Sequence, residues 1–142
     1  MVPSNGAVGA AVAPLPAHSF DFRQLLLDLC RIDHVRGSLA VTPEGLVIDA
    51  VLSGEMAVQP ISARAASLGR ELELQGPRGR RGALLMAHVA SDDGTVFLGG
   101  TPVGFIVVLG GAEVNRDRVR LALRTAMETV RDRLGPLSER RR

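Results

Sequence analysis

Val35-Arg36-Gly37-Ser38-Leu39-Ala40-Val41-Thr42-Pro43-Glu44-Gly45-Leu46-Val47-Ile48-Asp49-Ala50-Val51-Leu52 reads as two strands joined by a tight turn. Thr42-Pro43-Glu44-Gly45 puts proline at the second turn position and glycine at the fourth, as a type I turn favours. Ser38–Thr42 is then a short strand and Leu46–Leu52 a longer one, a hairpin in the first half of the chain. Asp49, between Ile48 and Ala50, makes one face of the second strand partly polar.

Working outward towards the start, Ser19 is expected to cap a helix with Asp21 in its first turn. Phe22, Leu25, Leu26, Leu29 and Ile32 fall within one arc at 3.6 residues per turn, and Gln24, Asp28 and Arg31 face away. Residues 1–17 are mostly Ala, Val, Gly and Pro without periodicity and read as a flexible tail.

On the other side of the hairpin, a second helix is expected from about Pro60 to Leu74, ending before Gly76-Pro77. Proline is tolerated there because a first-turn N–H has no intrahelical acceptor to lose. Ile61, Ala65, Leu68 and Leu72 form the expected core stripe. Ala63, Ala66, Ser67, Arg70 and Leu74 occupy the opposite face, mostly small or apolar where a monomer's surface helix carries long charged side chains. This predicts a helix packed on both sides, with those five residues in a dimer interface.

Gly76–Gly82 is a basic loop. Ala83–Ala90, with Leu84, Leu85, Met86 and Val89, lacks alternation and reads as a strand covered on both faces. Asp92-Asp93-Gly94 is a hairpin turn leading to Thr95–Leu98, and Gly99-Gly100-Thr101-Pro102 turns the chain into Val103–Leu109. The last helix starts near Asn115 and stops at Gly135-Pro136. Its stripe is Val119, Leu123, Ala126, Met127, Val130 and Leu134. The order α-β-β-α-β-β-β-α, with strands in an antiparallel meander and helices over the faces, is an α+β sandwich. Residues 18–136 form the expected domain, between the tail at 1–17 and a basic C-terminal tail at 137–142.

Composition narrows the function. The 142 residues suit one domain, and no apolar run reaches the ~18 residues of a membrane span. The single cysteine, Cys30, excludes an intrachain disulfide and fits a reducing cytoplasm. A pI near 9.9 suggests nucleic acid, but the net charge is only +2. All 17 basic residues are arginine, and aromatic content is 3% without Trp or Tyr. Stacking platforms are therefore scarce, and no nucleic-acid partner is expected.

Catalytic signatures are missing as well. His18, His34 and His88 have no metal-ligand spacing, and with one thiol the chain has too few ligands for zinc. Cys30 lies near the apolar side of the first helix, where a thiol acts as a small hydrophobe rather than a nucleophile. Asp92-Asp93 belongs to a turn. Gly76–Gly82 lacks a Gly-Lys-Ser/Thr ending and precedes a strand, while Gly110-Gly111 matches no dinucleotide or triphosphate spacing. Arg120, Arg124 and Arg131 follow Asp117 and Glu128 at helical spacing and read as a solvated face. No catalytic residue, metal or cofactor is expected.

Over about residues 20–135 the chain resembles the Roadblock family, named for a dynein light chain and widespread in bacteria. The resemblance is carried by the leucine-rich opening helix, Val35–Val41 leading to Glu44-Gly45-Leu46-Val47-Ile48, the alanine-rich second helix, and Val103–Leu109 before a long amphipathic helix. Pro60 and the proline-rich tail depart from it. The resemblance implies a five-stranded antiparallel sheet with helix two on one face and helices one and three on the other. It also implies homodimers made by third-strand pairing and packing of the second helices. Bacterial relatives act on small Ras-like GTPases or serve as scaffolds and hydrolyse no nucleotide themselves. The chain is thus expected to be a non-catalytic regulator of a small Ras-like GTPase, with Arg64, Arg70 and Glu71 as partner contacts. A ligand-sensing or scaffold module is the alternative, disfavoured as a sensor because the inward stripes lack convergent polar groups.

Overall fold

A computed structural model describes residues 20–54, 57–75 and 86–135. The elements are α1 Phe22–Leu29, β1 Val35–Val41, β2 Val47–Leu52, α2 Val58–Gln75, β3 Met86–Ser91, β4 Gly94–Thr101, β5 Gly104–Gly110 and α3 Arg116–Leu134. Their order is the expected one, and the class is α+β.

Local chemistry sets the boundaries. The α1 cap is Asp21, whose side chain accepts from the Arg23 N–H at 3.0 Å. This corrects the expected Ser19 cap; Ser19 lies outside the described residues. In the β1–β2 turn, Gly45 N donates to Thr42 O at 2.9 Å and Leu46 N to Thr42 Oγ1 at 3.0 Å. Gly45 has φ +99°, a left-handed conformation that glycine adopts without a Cβ clash. Helix α2 starts at Val58, before the expected Pro60, yet Pro60 still falls in the first turn where its missing N–H breaks no helical bond.

The sheet order is β2-β1-β5-β4-β3, antiparallel throughout. The two hairpin regions are as expected, but the whole is not a simple meander. β1 pairs with β5, Leu39 opposite Val107, so the last strand lies at the centre of the sheet. All seven residues of β5 are buried. Gly99 and Gly100 are also placed differently from expectation, inside β4 rather than in a turn. A Cβ on Gly99 would meet Met127 Sδ at 2.6 Å, so this glycine gives α3 room to approach the sheet.

Two cores result. Leu26 and Leu29 of α1 and Val119, Leu123 and Val130 of α3 pack on Phe97, Ile106 and Val108 on one face. Ala65 and Ala66 of α2 pack on Leu39, Val41, Phe105 and Val107 on the other. In α3 the expected stripe is buried from Val119 to Val130, with Leu134 half-buried. Asn115 Oδ1 caps this helix by accepting from Arg118 N at 3.1 Å. Polar contacts fix α1: Ser38 Oγ donates to Leu26 O at 2.9 Å, and Arg23 pairs with Asp49 at 2.7 Å. Among the described residues no helix is long and apolar enough to cross a membrane.

Candidate functional site

Helix α2 meets the sheet through small residues. Ser62, Ala65, Ala66 and Gly69 recur at i, i+3, i+4 and i+7 and are buried. Ser62 Oγ donates to Gly45 O at 2.5 Å, and a Cβ at Gly69 would touch the Phe105 ring at 2.5 Å. Ile61, Leu68 and Leu72 are only half-buried along one flank of the helix. The buried stripe is therefore rotated by about 80° from the expected Ile61-Ala65-Leu68-Leu72 line, at 100° per residue. Backbone proximity decides the phase: small side chains let the helix sit low on β1 and β5, which bulky ones prevent.

The rotation corrects one proposed interface residue. Ala66 is 0% exposed and part of the chain's own core, so it lines no outer face. Ala63, Ser67 and Arg70 are exposed, as is Leu74 at 73%. They follow each other at i, i+4, i+7 and i+11, which is one continuous stripe.

The three expected partner contacts are all exposed. Arg64 and Glu71, seven residues apart, share one face of α2. Arg70 points elsewhere and donates through Nη1 to Pro43 O in the β1–β2 turn. The structure thus brings Arg64 and Glu71 together on a face and separates Arg70 from them.

The exposure of strand β3 is what sequence reading missed. Among the described residues it is an edge strand, paired only with β4. It was expected to be covered on both faces; instead Met86 and Ala87 are half-buried and His88–Ser91 are exposed. Leu84 and Leu85 lie outside the described residues. Val89 stands opposite Val96, and these two are 53% and 37% exposed. Two residues along β4 from Val96, Leu98 is buried in the core beneath α2, so this valine pair is on the α2 face, uncovered at the β3 end. A lack of alternation signals a covered strand only if something covers it, and among the described residues nothing covers His88–Ser91.

No group of three or more His, Cys, Asp or Glu side chains able to hold a metal occurs among the described residues. Cys30 is half-buried, with Sγ 3.3 Å from Ser38 Oγ. His88 lies 5.8 Å, ring centre to ring centre, from Phe97. Arg120 pairs with Asp117 at 3.7 Å, while Arg124 and Arg131 are exposed. What the arrangement offers is a surface: a free strand edge, an apolar valine pair beside it, and a helix with a small-residue stripe and a charged outer face.

No family model matches the chain. It is 26% identical over 108 residues to the uncharacterized protein MJ1340 of Methanocaldococcus jannaschii, covering 76% of this chain and 95% of that one. Among solved structures it is similar to a Roadblock/LC7 domain from Streptomyces avermitilis, with a TM-score of 0.67 and 22% identity over 82% of this chain and 100% of that one. An MglB in a tetrameric arrangement superposes with a TM-score of 0.72 at 12% identity, covering 87% of this chain and 94% of that one. Superposition over nearly the whole of each of these neighbours shows that the chain has the Roadblock/LC7 fold.

Proposed function

We propose that this protein is a non-catalytic, cytoplasmic, homodimeric interaction domain that binds and regulates a small Ras-like GTPase. The observation that carries the reading is the β3 end of the sheet, where a strand edge that is unpaired among the described residues adjoins exposed Val89 and Val96. An open edge presents a row of unpaired N–H and C=O groups and invites pairing with another chain. Antiparallel pairing of β3 with a second copy about a two-fold axis satisfies both edges at once. It also carries each α2 towards the other copy, where Ala63, Ser67 and Leu74 permit close approach and the valines find cover. Such an interface buries on the order of 1,200–2,000 Å² in total. The tetrameric arrangement of the similar MglB structure supports self-association.

The GTPase half of the reading rests on the Roadblock resemblance and on the outer α2 face with Arg64 and Glu71. In this reading the GTPase supplies its own nucleotide chemistry, and the dimer recognises the nucleotide state by surface complementarity. Arg70 is not an arginine finger: its guanidinium is engaged by Pro43 O, whereas a finger must reach the transferring phosphate.

The test has two arms. Light scattering at micromolar concentration is expected to give twice the chain mass, and a monomer overturns the dimer. The purified protein is then mixed with small Ras-like GTPases encoded near it, loaded with GDP or a GTP analogue. Binding that depends on the nucleotide supports a regulator; no binding in either state overturns it in favour of a scaffold or sensor.

A further inference from the structure

The sheet ends in two edge strands whose chemistry differs. Among the described residues β2 is the edge opposite β3. Ser53 N donates to Arg36 O at 3.0 Å, Ser38 stands opposite Val51, and Ala40 stands opposite Asp49. Facing residues of an antiparallel pair alternate between bonded and open. Val51 and Asp49 therefore bond to β1, while Ala50 and Leu52 turn their N–H and C=O outward. The pairing with β1 skips Ile48, a bulge that bends the strand near its turn. Leu46 and Ile48 are exposed at this end, at 66% and 39%. An edge with outward backbone groups and exposed apolar side chains is a template for another strand.

That template is occupied at its centre. Ala50 N donates to Asp49 Oδ1 at 2.8 Å, and Arg23 Nη1 of α1 donates to Ala50 O at 3.3 Å. Arg23 Nη2 donates to the same Asp49 Oδ1 at 2.7 Å and holds the carboxylate in place. Both outward backbone groups of Ala50 are thus satisfied within the chain by charged partners, whose hydrogen bonds are about twice as strong as neutral ones. An incoming strand must displace both and offers only neutral amides in return. We propose that Arg23 and Asp49 form a clamp that closes the β2 edge to a second copy of this chain and leaves self-pairing to β3.

The two edges differ as this requires. β3, Met86–Ser91, carries no Asp, Glu or Arg. Arg23 reaches β2 because α1 is fixed over this end of the sheet, by buried Leu26 and Leu29 and by the bond from Ser38 Oγ to Leu26 O. A second copy fits the edge once it is opened. Antiparallel pairing of β2 with itself about a two-fold axis at Ala50 sets Ile48 of one copy opposite Leu52 of the other, giving the exposed apolar side chains cover. A chain with both edges open has two different two-fold interfaces, and copies then link end to end beyond a dimer. The clamp limits the size of the assembly, and it does so whether or not β3 pairs.

The experiment compares the full chain with Arg23→Ala and Asp49→Ala by light scattering at equal micromolar concentration. Each variant is expected at least to double the wild-type mass, with a further rise on concentration. Adding Ile48→Lys to Arg23→Ala is expected to restore the wild-type mass, because a lysine blunts an open edge. Val89→Asp combined with Arg23→Ala separates this proposal from β3 pairing: with the β3 edge charged, the double variant is expected at twice the chain mass through β2. A monomeric wild type overturns the β3 dimer alone and leaves these comparisons standing. In the wild type the Ala50 amide is expected to resist hydrogen exchange although it points away from β1, a readout that needs no variant to fold. The proposal is overturned if neither single variant exceeds the wild-type mass, if Ile48→Lys fails to reverse the increase, or if the Ala50 amide exchanges as fast as an unprotected one.

Discussion

Gly69 lies against the ring of Phe105 so closely that a Cβ at this position would sit 2.5 Å from two ring carbons. This contact sets the height of α2 above the sheet. Gly69→Ala adds helix propensity worth up to ~1 kcal/mol but forces the ring or the helix to move, and overpacking costs ~1–3 kcal/mol. We expect a net loss of stability, read as a lower urea midpoint with unchanged slope. A stabilised Gly69→Ala variant would show that the ring turns aside freely.

Ala66 and Val89 separate the fold from the interface. Ala66→Arg forces a charged side chain into a fully buried position and is expected to unfold the domain, seen as loss of the cooperative thermal transition. Val89→Asp adds a charge to an exposed position and is expected to leave secondary structure intact while shifting light scattering to the monomer mass. A dimer that survives Val89→Asp places the interface elsewhere.

Leu123 and Leu68 measure how unequal the two helix faces are. Leu123 is fully buried between α3 and the sheet, and Leu123→Ala is expected to cost ~2–5 kcal/mol. Leu68 is half-buried on the α2 flank, so Leu68→Ala is expected to cost about half as much within one chain, since the loss follows the apolar area removed from water. Equal losses by denaturant unfolding would mean that the Leu68 flank is covered as completely as the α3 core, as dimerisation provides.

Arg64 and Arg70 divide the charged face of α2. Arg64→Glu is expected to weaken partner binding about fivefold at low salt, mostly through the association rate, with the effect fading at high salt. Arg70→Ala removes the contact to Pro43 and is expected to loosen the β1–β2 turn, seen as faster hydrogen exchange at Gly45 and Leu46. If Arg70→Ala alone abolishes partner binding, the recognition surface includes that turn.

Much of the fold was legible because periodicity was long and its ends were marked. α3 carries 19 residues between Asn115 and Gly135, and its stripe is buried as expected. The β1–β2 hairpin was legible because Pro43 and Gly45 act locally. Three features were not, each for a physical reason. Hairpin signals report sequence neighbours, and the β1–β5 pairing joins residues about seventy apart. Hydrophobicity ranked Leu68 and Leu72 above Ser62 and Gly69, but close approach to a sheet selects for small volume. Gly99-Gly100 looked like a turn because glycine is ambiguous between bending a chain and clearing space beneath a helix. Of the candidate surface, the small-residue stripe on α2 was legible, while the exposure of Val89 and Val96 depends on β3 being an edge, which is a property of topology.

The central position of β5 fixes an order of events during folding. Helix α1, the β1–β2 hairpin and α2 emerge from the ribosome first, yet their sheet has no centre until residues 104–110 are available. The β3–β4–β5 segment closes through two local turns, whereas joining β1 to β5 means closing the long loop between Val41 and Phe105, an entropic cost paid before its contacts form. Until that strand is inserted, Leu39 and Val41 lack the Val107 and Phe105 pairing partners that complete their sheet. Nascent chains shorter than about 110 residues therefore expose an apolar hairpin edge, the state in which chains of this kind aggregate or recruit chaperones.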